Sequence, residues 1–427
     1  MSAAKKKKID GRAASLLVLM CWFAYAFSYV SRLDFSATMA EMTTSGVLTK
    51  SAAGIITTVF FLLYGGGQLL SGWLGDRVEP RLLIFAGLLG TGLCNMTMSL
   101  APPAWLMAVV WGANGLALSL LWAPIVRLVS DRIHSAQRGR ACTVLATTMA
   151  AGTLGAYLIS AGTIELFGWK APFRAASLLT LLMAAMWLPV VSGIEKKADS
   201  AGIDEAAPVQ EAVKPEDEVP HASIPRHTWK LFAVSGLWLL AIAAGTHGIL
   251  KDCVSTWVPT FLTDVFRMSS VTSILTGTML PIFGLGGPYL ANYIFKKRMQ
   301  NEIGTVVVLF GIAAAALALL AVFGRFSQIL SIVALALTYM CSIGMNMMLV
   351  GYIPMYFHKV GRVAQVTGVM NAAACLSTAF ASLIIGFLVD SGGWGVTLFS
   401  WFGVALLGGG ACLLAQRRWS KFRRNLF

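Results

Sequence analysis

The sequence predicts an all-α membrane protein with twelve transmembrane helices in two pseudo-symmetric bundles of six. Hydrophobic residues make up 57% of the 427 residues and charged residues only 12%, far too few charges for a soluble chain of this length. Apolar runs of membrane-spanning length recur along the chain, separated by charges or by Pro and Gly. One polar stretch near the middle separates the first six runs from the last six.

The apolar runs define the predicted helices in order, at residues 13–39, 51–74, 82–100, 103–130, 140–163, 172–192, 230–262, 271–295, 302–323, 327–355, 363–389 and 395–416. The two halves echo one another, because Leu166–Trp169 closes the fifth segment as Ser391–Trp394 closes the eleventh. Residues 194–229 are rich in Glu, Asp, Ala and Pro and lack a hydrophobic period, so we expect a cytoplasmic linker between bundles at 1–193 and 230–427.

The net charge of +14 is distributed in the manner of a membrane protein, which argues against nucleic-acid binding. Of the 33 Lys and Arg residues, 25 fall in the N-terminus, the C-terminus and the loops after even-numbered segments. This asymmetry predicts a multi-pass protein of the cell membrane (inner or plasma membrane) with both termini in the cytoplasm. The basic run Lys5–Lys8 is interpreted as an orientation signal that contacts anionic lipid.

Two cations occupy matching places in the halves: Arg32 near the end of the first segment and Lys251 near the end of the seventh. A charge within a spanning helix costs about 2.5–3.5 kcal/mol on insertion scales, so it usually lines a cavity. One cation in each half therefore predicts a site for an anion between the bundles. The acids near them, Asp34 and Asp252, are expected to neutralise the cations.

The first segment carries Trp22, Tyr25, Tyr29 and Arg32 on one helical face. A guanidinium grips phosphate or carboxylate through two parallel hydrogen bonds, and phenols donate further bonds, so this face suits an oxyanion. The alternative is an interfacial belt in which Arg32 reaches back to the headgroups.

The seventh segment places His247 and Lys251 four residues apart on one face, as candidates for the same anion site. The alternatives are that Lys251 pairs with Asp252 and that His247 is a satisfied core residue. Arg127 lies at the cytoplasmic end of the fourth segment, where a gating contact or a structural salt bridge is expected.

The loop after the second segment, Gly72–Arg81, resembles the signature of the major facilitator superfamily, with Gly72, Asp76, Arg77 and Arg81 as matches and Pro80 in place of the usual glycine. In that family the acidic residue is a cytoplasmic latch that pairs with basic residues in one conformation only. The resemblance assigns the latch to Asp76, with Arg77 and Arg81 beside it. The alternative is a solvated loop charge.

Five further motifs are Tyr25-x3-Tyr29-x2-Arg32-x2-Phe35, Leu63–Gly65 with the loop to Asp76, Trp122–Arg127, Lys251-x5-Trp257-x-Pro259-Thr260, and Gly386-x2-Val389-Asp390-x2-Gly393-Trp394. Through them the chain resembles the organophosphate:phosphate antiporters of that superfamily, over essentially all twelve segments. The resemblance implies the major facilitator fold, no cofactor, a monomer, and phosphate as counter-substrate for a phosphorylated compound. It also implies that Arg32 and Lys251 hold the phosphoryl group and that Tyr25 and Tyr29 line the site.

Three departures from that family reduce the positive charge of the site. Gln68 stands where the family usually has Lys, Met149 where the glycerol-phosphate branch has His, and Lys251 where Arg is usual. A phosphonate or a carboxylate therefore becomes a stronger candidate for the substrate. Further polar candidates for the site are Tyr64, Gln68, Asn114, Asn346 and Asn371. The alternative for each of them is a hydrogen bond that joins two helices.

These observations favour a secondary transporter that exchanges small organic anions, since two facing cations repel when no anion is bound and attract it when it binds. Two alternatives stay open: a proton-coupled carboxylate symporter or exporter, and a transport-dead sensor of sugar phosphate. An enzyme is not expected, because the sequence contains no nucleophile–base pair, metal-ligand cluster or phosphate-binding loop.

Overall fold

A computed structural model describes residues 9, 11–75, 77–134, 137, 140, 141, 144, 145, 147–201, 235–357 and 363–426. The first half contains α1 (Gly11–Thr44), α2 (Lys50–Gly75), α3 (Pro80–Ser99), α4 (Ala104–Arg132), α5 (Thr148–Phe167) and α6 (Lys170–Ala201). The second half contains α7 (Leu237–Phe266), α8 (Ser270–Met299), α9 (Glu302–Phe323), α10 (Gln328–Met355) and the helix Val363–Leu426, which Gly393 divides into α11 (363–392) and α12 (394–426).

The predicted all-α membrane fold is confirmed. Ten helical stretches among the described residues are long and apolar enough to cross a membrane, and the last of them, Val366–Arg424, contains the break at Gly393. We call the membrane face where α1 begins and α12 ends the terminal side, and the opposite face the far side.

Local sequence explains where several helices begin. Pro80 occupies the first turn of α3, where backbone N–H groups have no partner within the helix, so the missing N–H of proline costs no hydrogen bond. Ser269 and Ser327 cap α8 and α10 by accepting hydrogen bonds from backbone amides three residues on, and Asn301 caps α9 in the same way from two amides.

The internal repeat appears in the backbone at two glycines. Gly168 ends α5 with φ +72° and ψ −178°, and Gly393 ends α11 with φ +72° and ψ −177°. Side chains rarely tolerate this conformation, so both halves need glycine here. The echo between Leu166–Trp169 and Ser391–Trp394 therefore reflects one structural device used twice.

Helix α6 is longer than predicted, since it continues to Ala201 and includes the first eight residues assigned to the linker. The cause is Glu195, which is buried and pairs with Arg81 of α3 at 3.2 Å and with Arg132 of α4 at 3.0 Å. The remaining linker residues, 202–229, lie outside the described part of the chain.

The halves approach most closely where α2 crosses α11. A Cβ atom on Gly54 would lie 2.7 Å from the Ser382 carbonyl oxygen, and one on Gly386 would lie 2.7 Å from the Lys50 carbonyl oxygen. Thr58 donates a hydrogen bond across the same crossing to the Ala379 carbonyl, at 2.9 Å. The far-side parts of the two bundles are thus in backbone contact.

Candidate functional site

Arg32 projects from α1 into the space between the two halves. Its guanidinium carbon lies 4.9 Å from the ring centroid of Tyr64 and 5.7 Å from that of Phe61, and the side chain lines two small cavities at the interface. Aromatic faces stabilise a partly desolvated guanidinium. The structure therefore places Arg32 at the centre of the protein and not among lipid headgroups.

Lys251 lines one of those cavities together with Arg32, as the sequence predicted for the two cations. It belongs to a five-residue π-helical turn, Ile249–Cys253, inside α7. Such turns occur mostly as single interruptions of α-helices and are frequent at functional sites. In this turn both Lys251 and the following residue, Asp252, line the cavity.

Asp252 forms ion pairs with both cations. One carboxylate oxygen lies 3.7 Å from an Arg32 Nη atom and the other lies 3.6 Å from Lys251 Nζ. Each attraction is about 4 kcal/mol at an effective dielectric constant of ~20, before the desolvation of the charges is subtracted. The expected repulsion between two facing cations is thus offset by an acid that the protein itself supplies.

The cavity shared by Arg32, Lys251 and Asp252 has a volume of about 50 Å³. A water molecule needs at least about 10–15 Å³ of such cavity space, so the cavity has room for a few waters. Helices of both halves form its wall, with Tyr29, Met149 and Tyr157 from the first half and Leu280, Pro281 and Tyr339 from the second. The cation cavity thus lies at the interface between the two halves.

The aromatic wall differs from the one predicted. Tyr29 lines the cavity, whereas Tyr25 lies one turn nearer the terminal side, with its ring edge-to-face with Tyr29 at 5.4 Å and tilted against Trp122 at 4.6 Å. Tyr157 and Tyr339 line the cavity and were missed by the sequence analysis, since neither stands near a charge in the sequence. Tyr157 also joins the halves, because its hydroxyl donates to the Ser255 carbonyl at 3.2 Å.

Gln68 and Asn371 meet in a separate cavity of about 90 Å³ between α2 and α11, which Gly65 and Cys375 also line. Tyr64 lies one turn from Gln68 and packs its ring against Arg32. Gln68 and Asn371 therefore line a second chamber, one helical turn from the Tyr64 ring that packs on Arg32.

Other polar candidates are hydrogen-bonded within the bundles. His247 is fully buried, with one ring nitrogen 2.6 Å from the Ala244 carbonyl and the other 3.2 Å from the Asn346 amide oxygen. Asn114 donates to the Ser31 carbonyl at 2.9 Å and accepts from Thr91. His247, Asn114 and Asn346 thus hold helices together and do not line the cation cavity.

Asp34 does not neutralise Arg32, contrary to the expectation from the sequence. It is fully buried, one of its carboxyl oxygens accepts from the Phe35 backbone N–H, and the other has no hydrogen-bond partner among the described residues. The reason is helical geometry: a residue two positions after Arg32 points to the other side of α1. Asp252 from the opposite half takes the role instead.

The predicted gating residues are distributed over several environments. Asp76 lies outside the described residues, and Arg77 is exposed next to it. Arg81 pairs with Glu79 at 2.6 Å and with Glu195, which is a contact within the first half. Arg127 pairs with Asp131 one turn further along α4, at 3.6 Å.

Several polar contacts join the halves on the far side. Asp264 of α7 pairs with Lys50 at 2.6 Å and accepts a hydrogen bond from the Trp394 indole at 2.8 Å. Ser36 of α1 donates to the Thr256 carbonyl of α7 at 2.8 Å. Two further contacts link Ser51 to Asp390 and Ser270 to Glu41. The far-side path to the cation cavity is therefore closed in this conformation.

The chain matches a known family model and is similar to several known proteins. The family model described as Major Facilitator Superfamily matches residues 17–382. A probable hexose phosphate transport protein of Chlamydia muridarum is 23% identical over 307 residues, which are 68% of this chain and 66% of that protein. The membrane sensor protein UhpC of Escherichia coli is 22% identical over 306 residues, which are 69% of this chain and 67% of that protein.

Two solved structures share the fold at low sequence identity. A bacterial homologue of the human lysosomal transporter Spinster, inward-facing and unoccupied, superposes with a TM-score of 0.67 at 12% identity and covers 98% of both chains. A mutant of the peptide transporter POT in complex with sulfate superposes with a TM-score of 0.68 at 15% identity, covering 98% of this chain and 99% of that one.

The matched region spans only about two thirds of the length of the chlamydial and enterobacterial relatives, 66% and 67% respectively. These relatives confirm the resemblance to the organophosphate:phosphate antiporters that the motifs indicated. With its family match over most of the chain, this protein belongs to the major facilitator superfamily, a family of transporters and not of enzymes.

Proposed function

We propose that this protein is a secondary transporter of a small organic anion and that Arg32 and Lys251 hold the anion between its two halves. One observation carries the proposal: a cation from each half lines the same interfacial cavity, inside a shell of aromatic side chains. Charges at this depth are costly unless they serve a ligand or a partner. An anion that contacts both cations draws the halves together.

Transport then follows from movement of the halves around the cation cavity. The far-side contacts Lys50–Asp264 and Ser36–Thr256 hold the protein closed on that side, so substrate enters and leaves through the terminal side in this conformation. Breaking them and closing the terminal side exposes the cavity to the opposite face. The charge asymmetry of the loops supports a cytoplasmic terminal side in the cell membrane.

A phosphorylated compound that exchanges for inorganic phosphate is the substrate class best supported by the relatives, since the chlamydial proteins are named as probable hexose phosphate transporters. Arginine and lysine both bind phosphoryl oxygens well. The second chamber, with Gln68 and Asn371, offers amide groups for the uncharged part of such a molecule.

A sensor function is the second candidate, because one relative is named as a membrane sensor protein. A sensor binds its ligand in the same cavity but does not complete the transport cycle. Binding without flux is therefore the result that separates the sensor from the transporter.

The test uses purified full-length protein in liposomes loaded with inorganic phosphate, with labelled hexose phosphate supplied outside. Arg32→Ala and Lys251→Ala should each reduce exchange roughly 10- to 100-fold, since each removes a charge-assisted contact of about 1.5–3 kcal/mol and leaves only one cation, which Asp252 neutralises. Lys296→Ala, which removes an exposed cation at the terminal end of α8, is the matched control and should keep wild-type exchange.

Full exchange by either cation variant would refute the site. Ligand-induced thermal stabilisation of the wild type without any uptake would favour the sensor. Uptake of a carboxylate driven by a pH gradient, in vesicles that contain no anion inside, would favour the proton-coupled alternative.

A further inference from the structure

We infer that Asp252 is a specificity-determining residue: it acts as a built-in counter-ion that selects singly charged anions over doubly charged ones. The inference rests on the proposed function, because it concerns the same cation cavity. It goes beyond that function by stating which charge state of the substrate is bound and which residue makes the choice.

Geometry shows that Asp252 is shared between the two cations. Its two carboxylate oxygens face different partners, one towards Arg32 of the first half and the other towards Lys251 of its own helix. Among the described residues, neither cation has another ion-pair partner. Asp252 therefore belongs to the site and is not a bystander on the surface of α7.

The ion pairs leave binding capacity for a substrate. Their lengths of 3.7 and 3.6 Å exceed the 2.7–2.9 Å that is usual for a charge-assisted N–H···O bond. Arginine carries five N–H donors and lysine three, and two loose contacts occupy few of them. An incoming anion can use the remaining donors while Asp252 stays in place.

The charge balance of the cavity then determines the preferred ligand. Arg32 and Lys251 contribute two positive charges and Asp252 one negative charge, so the three side chains sum to +1. A monoanion makes the loaded site neutral, whereas a dianion leaves an excess negative charge in a poorly hydrated space, which is unfavourable.

Of the other titratable groups around Asp252, the phenols and thiols do not alter this balance near neutral pH. The phenols are those of Tyr29, Tyr157 and Tyr339, the thiols are those of Cys253 and Cys375, and the remaining group is the imidazole of His247. Phenols and thiols are uncharged near neutral pH. Both nitrogens of His247 face oxygen atoms of its own bundle and not the cavity.

The experiment compares two ligands of nearly the same shape, methyl phosphate and methyl sulfate, by ligand-induced thermal shift of purified full-length protein between pH 5 and pH 8. A phosphate monoester loses its second proton near pH 6, so its monoanion fraction falls roughly 90-fold over this range, while its dianion fraction rises about 11-fold. Methyl sulfate keeps a single charge throughout.

For the wild type we expect the affinity for methyl phosphate to fall steeply, by up to about 90-fold, as pH rises, and the affinity for methyl sulfate to stay level. Asp252→Asn raises the site to +2, so its affinity for methyl phosphate should stay level or rise with pH. Asp252→Glu retains the charge and should restore the wild-type profile. Glu165→Gln, which removes an exposed acid at the far end of α5, is the matched control and should behave as the wild type.

Two results would overturn the inference while leaving the proposed function intact. One is an Arg32-dependent affinity for methyl phosphate with the same pH profile in the wild type and in Asp252→Asn. The other is a wild-type affinity for methyl sulfate that falls in parallel with that for methyl phosphate. A protein that binds neither ligand, or binds both equally after Arg32→Ala, overturns the proposed function itself.

Discussion

Lys50 at the start of α2 and Asp264 near the end of α7 form an ion pair of 2.6 Å that joins the two halves on the far side. The Trp394 indole donates to the same carboxylate at 2.8 Å. Three helices from two bundles thus converge on one acid, at the level where α2 also contacts α11 through glycine. This cluster, Lys50, Asp264 and Trp394, must separate when the far side opens.

Asp264→Asn should therefore shift the protein towards the state that is open on the far side. A partly exposed ion pair contributes about 0.2–1 kcal/mol, so the open population should rise by a factor of roughly 1.4 to 5. A cysteine introduced at the cavity residue Met149 (Met149→Cys) serves as the reporter. Its rate of labelling by a membrane-impermeant thiol reagent added on the far side is measured, and the rate for the parent protein with its native cysteines is subtracted. Trp394→Phe should give a change in the same direction. Unchanged labelling in both variants would remove this cluster from the gate.

Gly386 is expected to be essential for closing the far side. A methyl group at this position would lie 2.7 Å from the Lys50 carbonyl oxygen, and backbone cannot give way there as a flexible side chain can. Gly386→Ala should reduce exchange at least tenfold while the protein still reaches the membrane. Gly403→Ala in α12, where a methyl group meets nothing within 4 Å, is the control and should retain exchange.

The fold was predictable because each membrane crossing has a strong local signal. Length, hydropathy and the two glycine–tryptophan motifs locate the helices and the repeat without any knowledge of tertiary contacts. The end of α6 was misplaced for the opposite reason. Its last turns are polar, and they are helical because Glu195 forms ion pairs with Arg81 and Arg132, which are distant in sequence.

The cation pair was also predictable, since a buried charge is conspicuous in an apolar segment. Neutralisation of Lys251 by Asp252 was expected as well, but the pairing of Asp252 with Arg32 was not, because the two residues are distant in sequence and lie in different halves. The π-helical turn at 249–253 brings both Lys251 and Asp252 to the cavity, and no sequence pattern predicts such a turn. Tyr157 and Tyr339 were missed because only the packing of α5 and α10 brings them there.

Glu195→Gln should destabilise the first half by about 3 kcal/mol, because it removes the shared partner of Arg81 and of the buried Arg132. The measurement is thermal unfolding of purified protein in detergent, where the midpoint should fall clearly. Glu79→Gln removes the exposed second partner of Arg81 and should change the midpoint little. Equal midpoints for the two variants would contradict the role of Glu195 as an anchor for α6.

Tyr356 lies just beyond α10 on the terminal side, and it should make the stability of the folded protein vary with pH in the alkaline range. Burial and its hydrogen bond to Glu302 raise the pKa of this phenol in the folded protein, whereas in the unfolded chain it has its ordinary pKa of about 10. The unfolded chain therefore loses this proton first, so the stabilising contribution is complete below about pH 10 and is lost as pH rises further through the folded pKa. Tyr356→Phe removes the titrating group. Between pH 9 and pH 11 its unfolding midpoint should fall less than that of the wild type, and identical slopes would show that the bond to Glu302 carries no such linkage.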